Sequence, residues 1–160
     1  MSFNFYMPTR ILFGKGKLNT LHKQQLPGRK ALIVISAGQS IKKNGYLARL
    51  EEQLDKAGVT HVLFDKILPN PVKDHVMEGA ALAKEQNCDF VIGLGGGSSI
   101  DSAKSIAFMA TNEGDYWDYI SGGTGKGKPA LNAPLPIVAI TTTAGTGTEA
   151  DPWTVITNGN

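Results

Sequence analysis

The chain has 160 residues, enough for one domain and short for two of ordinary size. Hydrophobic residues make up 41% and charged residues 19%, a composition that can bury a core and excludes intrinsic disorder. Sixteen Lys and Arg against fourteen Asp and Glu leave +2 without a basic run, so nucleic acid has no electrostatic footprint here.

Glycine is in excess. There are 19, and eleven of them lie between Gly93 and Gly147 without a collagen-like period. Glycine clustered in this way points to backbone that approaches a ligand closely. The single cysteine, Cys88, excludes an intrachain disulfide and a cysteine-cluster zinc site. It precedes the apolar run Phe90 to Leu94 and reads as a buried structural thiol. No stretch approaches the 18 apolar residues of a membrane span. Met1 to Pro8 lacks a basic segment followed by an apolar block, so the expected location is the cytoplasm.

In chain order, Gly14 to Gln24 predicts a short helix that buries Leu18 and Leu21. Ala31 to Ile35 (ALIVI) is a continuous apolar run of the kind that parallel strands buried on both faces show. Leu47, Leu50, Leu54 and Ala57 follow at helical spacing, with Gly58 as the stop. His61 to Phe64 (HVLF) is the second strand. Asn70-Pro71 offers an N-cap and then a proline at the first helical position. Val72, Val76, Ala80 and Ala83 share the next helical face. Phe90 to Leu94 is the third strand, and Ile100, Ala103, Ala107 and Ala110 line the helix after it, with Ser98 as its cap. Ser121 to Pro134 reads as a surface loop and Pro136 to Ile140 as the fourth strand. Strand and helix alternating at about 30 residues per step means βαβ units with right-handed crossovers. Trp153 to Thr157 alternates like a further strand, and Asn158-Gly159 is a hairpin turn signal one residue before the end. The expectation is a hairpin cut in mid-structure.

The sharpest chemical feature is Gly93-Leu94-Gly95-Gly96-Gly97-Ser98-Ser99-Ile100-Asp101, which follows a strand and opens a helix. Glycines there let backbone N–H groups face a ligand, and a helix N-terminus adds partial positive charge and unsatisfied donors. A nucleotide pyrophosphate is the usual occupant of such a site. Ser98 and Asp101 form an S-x-x-D capping pair; Asp101 is open to three readings, as a cap, as a ribose ligand or as a fixer of the loop. The G-x-G-x-x-G fingerprint is only approximated and follows the third strand, and the P-loop pattern is absent. Thr141 to Glu149 (TTTAGTGTE) places five hydroxyls and two glycines after the fourth strand, where open α/β sheets bind ligands. After Ile35 comes Ser36-Ala37-Gly38-Gln39-Ser40, without a carboxylate to bond a ribose 2′-hydroxyl. With Lys42 and Lys43 following, this favours NADP over NAD. His22, His61 and His75 stand far apart, His61 reading as structural and His75 as solvated.

These residues resemble the iron-containing (group III) alcohol dehydrogenases, related to glycerol dehydrogenase and dehydroquinate synthase. The resemblance lies in Tyr6 to Gly16, Pro69-Asn70-Pro71, Gly95 to Lys104 (GGGSSIDSAK), Pro136 to Glu149 and Thr154 to Asn158. Ser40 to Gly45 (SIKKNG) is similar to the butanol and 1,3-propanediol dehydrogenase branch. The resemblance implies an α/β, Rossmann-like domain over residues 1–160 of the dehydroquinate synthase-like N-terminal type. It would have a mostly parallel sheet with flanking helices, an extended N-terminal strand leading into a glycine turn over Tyr6 to Gly16, and the C-terminal hairpin. It implies binding of NADP or NAD. Gly95, Gly96, Gly97, Ser98 and Asp101 would meet the pyrophosphate, and Thr142, Thr143 and Thr146 would run towards the nicotinamide. Ser36 and Ser40 would face the adenosine ribose, and Asn70 would border the cleft. The family's iron or zinc is held by one Asp and three His of a C-terminal helical domain, which is absent from this chain. None of His22, His61 and His75 matches a ligand, and no catalytic residue is assigned. Hydride transfer between the nicotinamide and a small alcohol or aldehyde is the implied reaction. A stand-alone nucleotide-binding module and an inactive fragment that self-associates as a homodimer are the alternatives.

Overall fold

A computed structural model describes residues 2–4 and 6–159. Met1 and Phe5, within the leader reading, and Asn160, where the hairpin would return, lie outside the described residues. Four parallel strands form one sheet: β1 (Lys30–Ser36), β2 (Thr60–Ile67), β3 (Phe90–Gly95) and β4 (Ile137–Thr141), in the order β2-β1-β3-β4. The helices are α1 (Ser40–Lys43), α2 (Tyr46–Lys56), α3 (Lys73–Glu85) and α4 (Gly97–Met109). Short 3-10 segments cover Lys17–Lys23 and Tyr116–Tyr119. The first three apolar runs read from the sequence thus lie within strands, and the fourth strand starts at Ile137, one residue after the expected Pro136.

The strand order assigns the helices to faces. The chain moves one way from β1 to β2 and the other way from β2 to β3 to β4. Right-handed crossovers therefore put the first connection on one face and the next two on the opposite face. The packing agrees. Ile33, Ile35, Ile92 and Leu94 pack with Ile41, Leu47, Leu50 and Leu54 of α1 and α2. Leu32, Val34 and Val91 pack with Val76, Ala80, Ala83, Ala103, Ile106 and Ala107 of α3 and α4. Alternate residues of the central strands β1 and β3 serve the two layers, and both strands are buried over nearly their whole length. Cys88 sits in the second cluster, buried as expected, and burial pushes its thiol pKa up.

Several boundaries differ from the expectations. Gly58 does end the second helical stretch, at φ +67. Asn70 and Pro71, however, do not cap α3. Asn70 stands at φ +57, and the helix opens after an extended Val72. The cause is a long-range contact: Thr157 N donates to Pro71 O, and Lys73 N donates to Thr157 O. This one-residue parallel bridge between Val72 and Thr157 holds the chain extended past the proline. Trp153 to Thr157 takes part in this single bridge and forms no strand of the sheet, in place of the expected strand. Its alternation is real but inverted, with Trp153 and Val155 exposed and Thr154 and Ile156 half-buried.

The expected N-terminal strand within Tyr6 to Gly16 is likewise not formed, whereas the glycine turn is, with Gly14 and Gly16 at positive φ. Residues 6–13 are exposed and form no strand. Two side-chain bonds tie this arm down, Thr9 Oγ1 to Ala150 O at 3.3 Å and Arg10 to Gln24 at 3.0 Å. His75 is half-buried with a shielded Nδ1 rather than solvated. His61 is half-buried beside Glu51 at 3.6 Å. Residues 121–134 form a surface loop, anchored by the buried Asn112, whose Oδ1 accepts from the amides of Leu131 and Asn132. Among the described residues no helix is long and apolar enough to cross a membrane.

Candidate functional site

The sheet has one topological switch point. From β1 the chain leaves towards β2, and from β3 it leaves towards β4, so the crevice opens between the carboxyl ends of β1 and β3. Three stretches singled out in the sequence converge on this end: residues 36–40 after β1, 95–98 after β3 and 141–149 after β4.

The glycine loop is shaped by steric need. Gly95 ends β3 at φ +146, a conformation that L side chains rarely adopt, and a Cβ there would lie 2.7 Å from Ser99 Oγ. Gly96 is extended and precedes α4 without any side-chain cap. Ser98 is therefore not the cap; it is a half-buried residue of the first turn. The first amides to find carbonyl partners are those of Ser99 and Ile100, both on Gly96 O. Among the described residues, the amides of Gly97 and Ser98 donate to no protein atom, which leaves two N–H groups at the positive end of a 13-residue helix.

The threonine loop lies against it. Thr142 N donates to Gly95 O at 3.0 Å, extending the β3–β4 ladder past its last strand residue. A Cβ on Gly97 would stand 3.0 Å from Thr146 Oγ1, and one on Gly96 3.5 Å from Thr143 Oγ1. The two glycines therefore let the threonine side chains close on the backbone of the glycine loop. Thr143 and Thr146 are exposed and Thr142 half-buried, so the hydroxyl-rich surface remains open.

The remaining candidates separate. Ser36 ends β1, half-buried, and Ser40 opens α1, exposed, so both stand beside the crevice on the neighbouring strand. Asn70 is exposed after the edge strand β2 and has no hydrogen bond to either loop. Asp101 is buried and faces its own chain: Oδ1 accepts from Thr148 Oγ1 and Oδ2 from Val155 N at 3.1 Å. Neither a cap nor an open ligand, it belongs to the loop-fixing reading. Two residues that lie within the stretches singled out in the sequence but carried no assigned role join it, Lys104 and the buried Thr148. Lys104 was visible as a charge one turn after Asp101, on a helix otherwise lined by Ile100, Ala103 and Ala107.

No group of three or more His, Cys, Asp or Glu that could hold a metal occurs among the described residues. The crevice is lined instead by backbone amides and threonine hydroxyls.

Known proteins are similar to this chain in sequence and fold. A Bacillus subtilis protein, probable NADH-dependent butanol dehydrogenase 1, is 39% identical over 157 residues, covering 98% of this chain and 39% of its own length. A choline dehydrogenase of the same organism is 42% identical over 156 residues, 96% of this chain and 38% of that protein. The crystal structure of NADH-dependent butanol dehydrogenase A from Thermotoga maritima matches with a TM-score of 0.88 and 38% identity, covering 98% of this chain and 38% of that one. The chain therefore spans about two-fifths of the length of the curated relatives it matches. The family model for iron-containing alcohol dehydrogenase matches residues 8–160, and the chain belongs to that family.

Proposed function

We propose that these 160 residues are the nicotinamide dinucleotide-binding domain of an alcohol dehydrogenase. The pyrophosphate is placed on the free amides of Gly97 and Ser98, with Gly95 and Gly96 keeping side chains out of its way. Ser36 and Ser40 flank the adenosine ribose, and Thr142, Thr143 and Thr146 lie along the nicotinamide half. Asn70 sits at the rim. The observation that carries the reading is the pair of unpartnered amides at a helix N-terminus, on the switch point of a parallel sheet.

The bound nicotinamide would supply hydride transfer to or from a small alcohol or aldehyde carbon. The protein part would supply position and exclusion of water. Iron, or zinc in its place, would be held by sequence corresponding to the remaining three-fifths of the relatives. Relatives over this same segment carry the names butanol and choline dehydrogenase, and no single alcohol is assigned.

The balance between NAD and NADP follows from the loop after β1. No carboxylate stands at 36–40, so a 2′-phosphate is not repelled. Lys42, however, is paired with Asp65 at 2.5 Å, which removes one of the two cations that favoured NADP. The proposed ligand is thus NAD(H), with NADP(H) admitted. The butanol dehydrogenases matched here are NADH-dependent by name.

Calorimetric titration of the 160-residue chain with NAD, NADP and ADP tests the reading. Saturable one-to-one binding of NAD, displaced by ADP, is expected. Silence for all three overturns it. Butanol oxidation by this chain with added iron or zinc is expected to stay at the uncatalysed level. A second reading, self-association, is favoured by the exposed apolar arm carrying Tyr6, Ile11 and Phe13. Light scattering that finds monomer alone removes it.

A further inference from the structure

Lys104 occupies an unusual setting. Its ammonium lies within bonding reach of five oxygens from one segment of chain: Thr148 O at 2.9 Å, Asp151 O at 3.1 Å, Asp151 Oδ1 at 3.3 Å, Thr148 Oγ1 and Trp153 O. A sixth, Asp101 Oδ1, stands 3.6 Å away. The lysine side chain is 11% exposed and that of Asp101 10%. An ammonium has three protons, so the surrounding oxygens outnumber its donors. The turn 148–153 is wrapped around a lysine as a chelating loop is wrapped around a metal ion. Three backbone carbonyls, those of Thr148, Asp151 and Trp153, point at the same charge.

The cage reaches the ligand crevice in two steps. Thr148, the residue that bridges Lys104 and Asp101, donates its amide to Thr146 Oγ1 at 3.4 Å. Thr146 in turn packs against the backbone at Gly97. Asp101 fixes the far side by accepting from Val155 N. Among the described residues, no further hydrogen bond joins 146–155 to α4.

The geometry points to Lys104 as a positioning residue for cofactor binding: its caged charge, braced by Asp101, sets the 148–153 turn and so holds Thr146 over the glycine loop. This rests on the dinucleotide reading above. Lys104 itself touches no ligand; it acts through the threonine loop, so its effect falls on the nicotinamide half of the cofactor.

The test compares Lys104→Met, which keeps the length and removes the charge, with Lys104→Arg, which keeps the charge. Asp151→Asn, at an exposed member of the cage, is the milder variant should Lys104→Met fail to fold. Amide hydrogen exchange is followed in the 160-residue chain without ligand, and Kd is measured for NAD and for ADP. In Lys104→Met, protection of the Thr148 and Val155 amides is expected to fall at least tenfold, with β1 and β3 unchanged. Kd for NAD is expected to rise about tenfold and Kd for ADP less than about threefold, with recovery of most of the loss in Lys104→Arg. Asp151→Asn is expected to move NAD in the same direction by about twofold. Unchanged NAD affinity with a loosened loop overturns the proposal, as does equal weakening of NAD and ADP. If the unsubstituted chain binds no dinucleotide, the binding reading itself fails. The exchange contrast then still decides whether Lys104 holds the loop.

Discussion

The two loops that form the crevice are built by different means. The glycine loop, 95–98, takes its shape from its own backbone: a φ of +146 at Gly95 and a helix that opens at once with Gly97. The threonine loop, 141–149, has a left-handed glycine of its own, Gly147 at φ +77, but its placement is not set locally. It is held by contacts with residues more than forty positions away, through Lys104, Asp101 and the backbone of Gly95. The first loop is therefore rigid wherever its strand and helix are formed. The second is only as rigid as a set of polar bonds, each worth about 0.5–3 kcal/mol net. In a ligand site this pairs a fixed anvil with an adjustable jaw, and the two are open to separate perturbation.

The largest expected effect is at the fixed loop. Gly95→Val forces a β-branched residue into a left-handed conformation and drives its Cβ against Ser99. Backbone strain alone costs about 1–3 kcal/mol, and the overpacking adds a similar amount. Urea unfolding should show that loss, and NAD binding should weaken more than about 100-fold, since the amides at the start of α4 are displaced with it. A variant that keeps both its unfolding midpoint and its NAD affinity would show that the loop is not locally determined.

That distinction also explains what could be read from the chain alone. The four strands and three of the helical faces were legible because their causes are local: apolar runs, helical spacing and the Gly58 stop. The glycine loop was legible for the same reason. What was not legible depends on a distant partner. Asn70-Pro71 has the residue types of a helix start, yet Thr157 pairs with the backbone there and delays the helix to Lys73. Trp153 to Thr157 has the alternation of a strand, yet Asp101 and Tyr116 claim Val155 N and Thr154 Oγ1 and turn the polar side inward. Tyr6 to Phe13 has strand residues, and a strand without a neighbour forms no ladder. Ser98 and Asp101 have capping spacing, but a carboxylate that can reach Thr148 and the amide of Val155 is worth more there than at an amide which water can serve.

An intermediate effect is expected where the two loops touch. Gly97→Ala places a methyl 3.0 Å from Thr146 Oγ1 without demanding a forbidden φ. It should weaken NAD roughly tenfold while moving Tm by only a few degrees. Thr146→Ala removes the obstacle as well as a hydroxyl, so the double variant should bind NAD better than the sum of the single losses implies. A coupling of about 0.5–2 kcal/mol in the binding cycle is the expected outcome. Strict additivity would mean that Thr146 does not rest on Gly97 in solution, and the jaw would have to be placed elsewhere.

The smallest effect lies outside both loops and concerns the third edge of the crevice. The Lys42 ammonium beside Asp65 holds that carboxyl below its ordinary value of 3.8. A lowered carboxylate pKa contributes stability that is present above the ordinary value and is lost as pH falls through the lowered one. The side chains are 36% and 41% exposed, so solvent screening keeps the contribution under about 1 kcal/mol. Asp65→Asn should therefore cost less than about 0.5 kcal/mol at pH 7, a difference that vanishes in acid below the lowered pKa. Its consequence for binding has the opposite sign. Freed from Asp65, Lys42 meets a 2′-phosphate near Ser40 without competition, and the ratio of NADP to NAD affinity should rise about two- to fivefold. Added salt at about 0.5 M, where charges are screened within a few ångströms, should remove the gain. An affinity ratio that does not move would place Lys42 away from the ribose and leave Ser36 and Ser40 to define that edge alone.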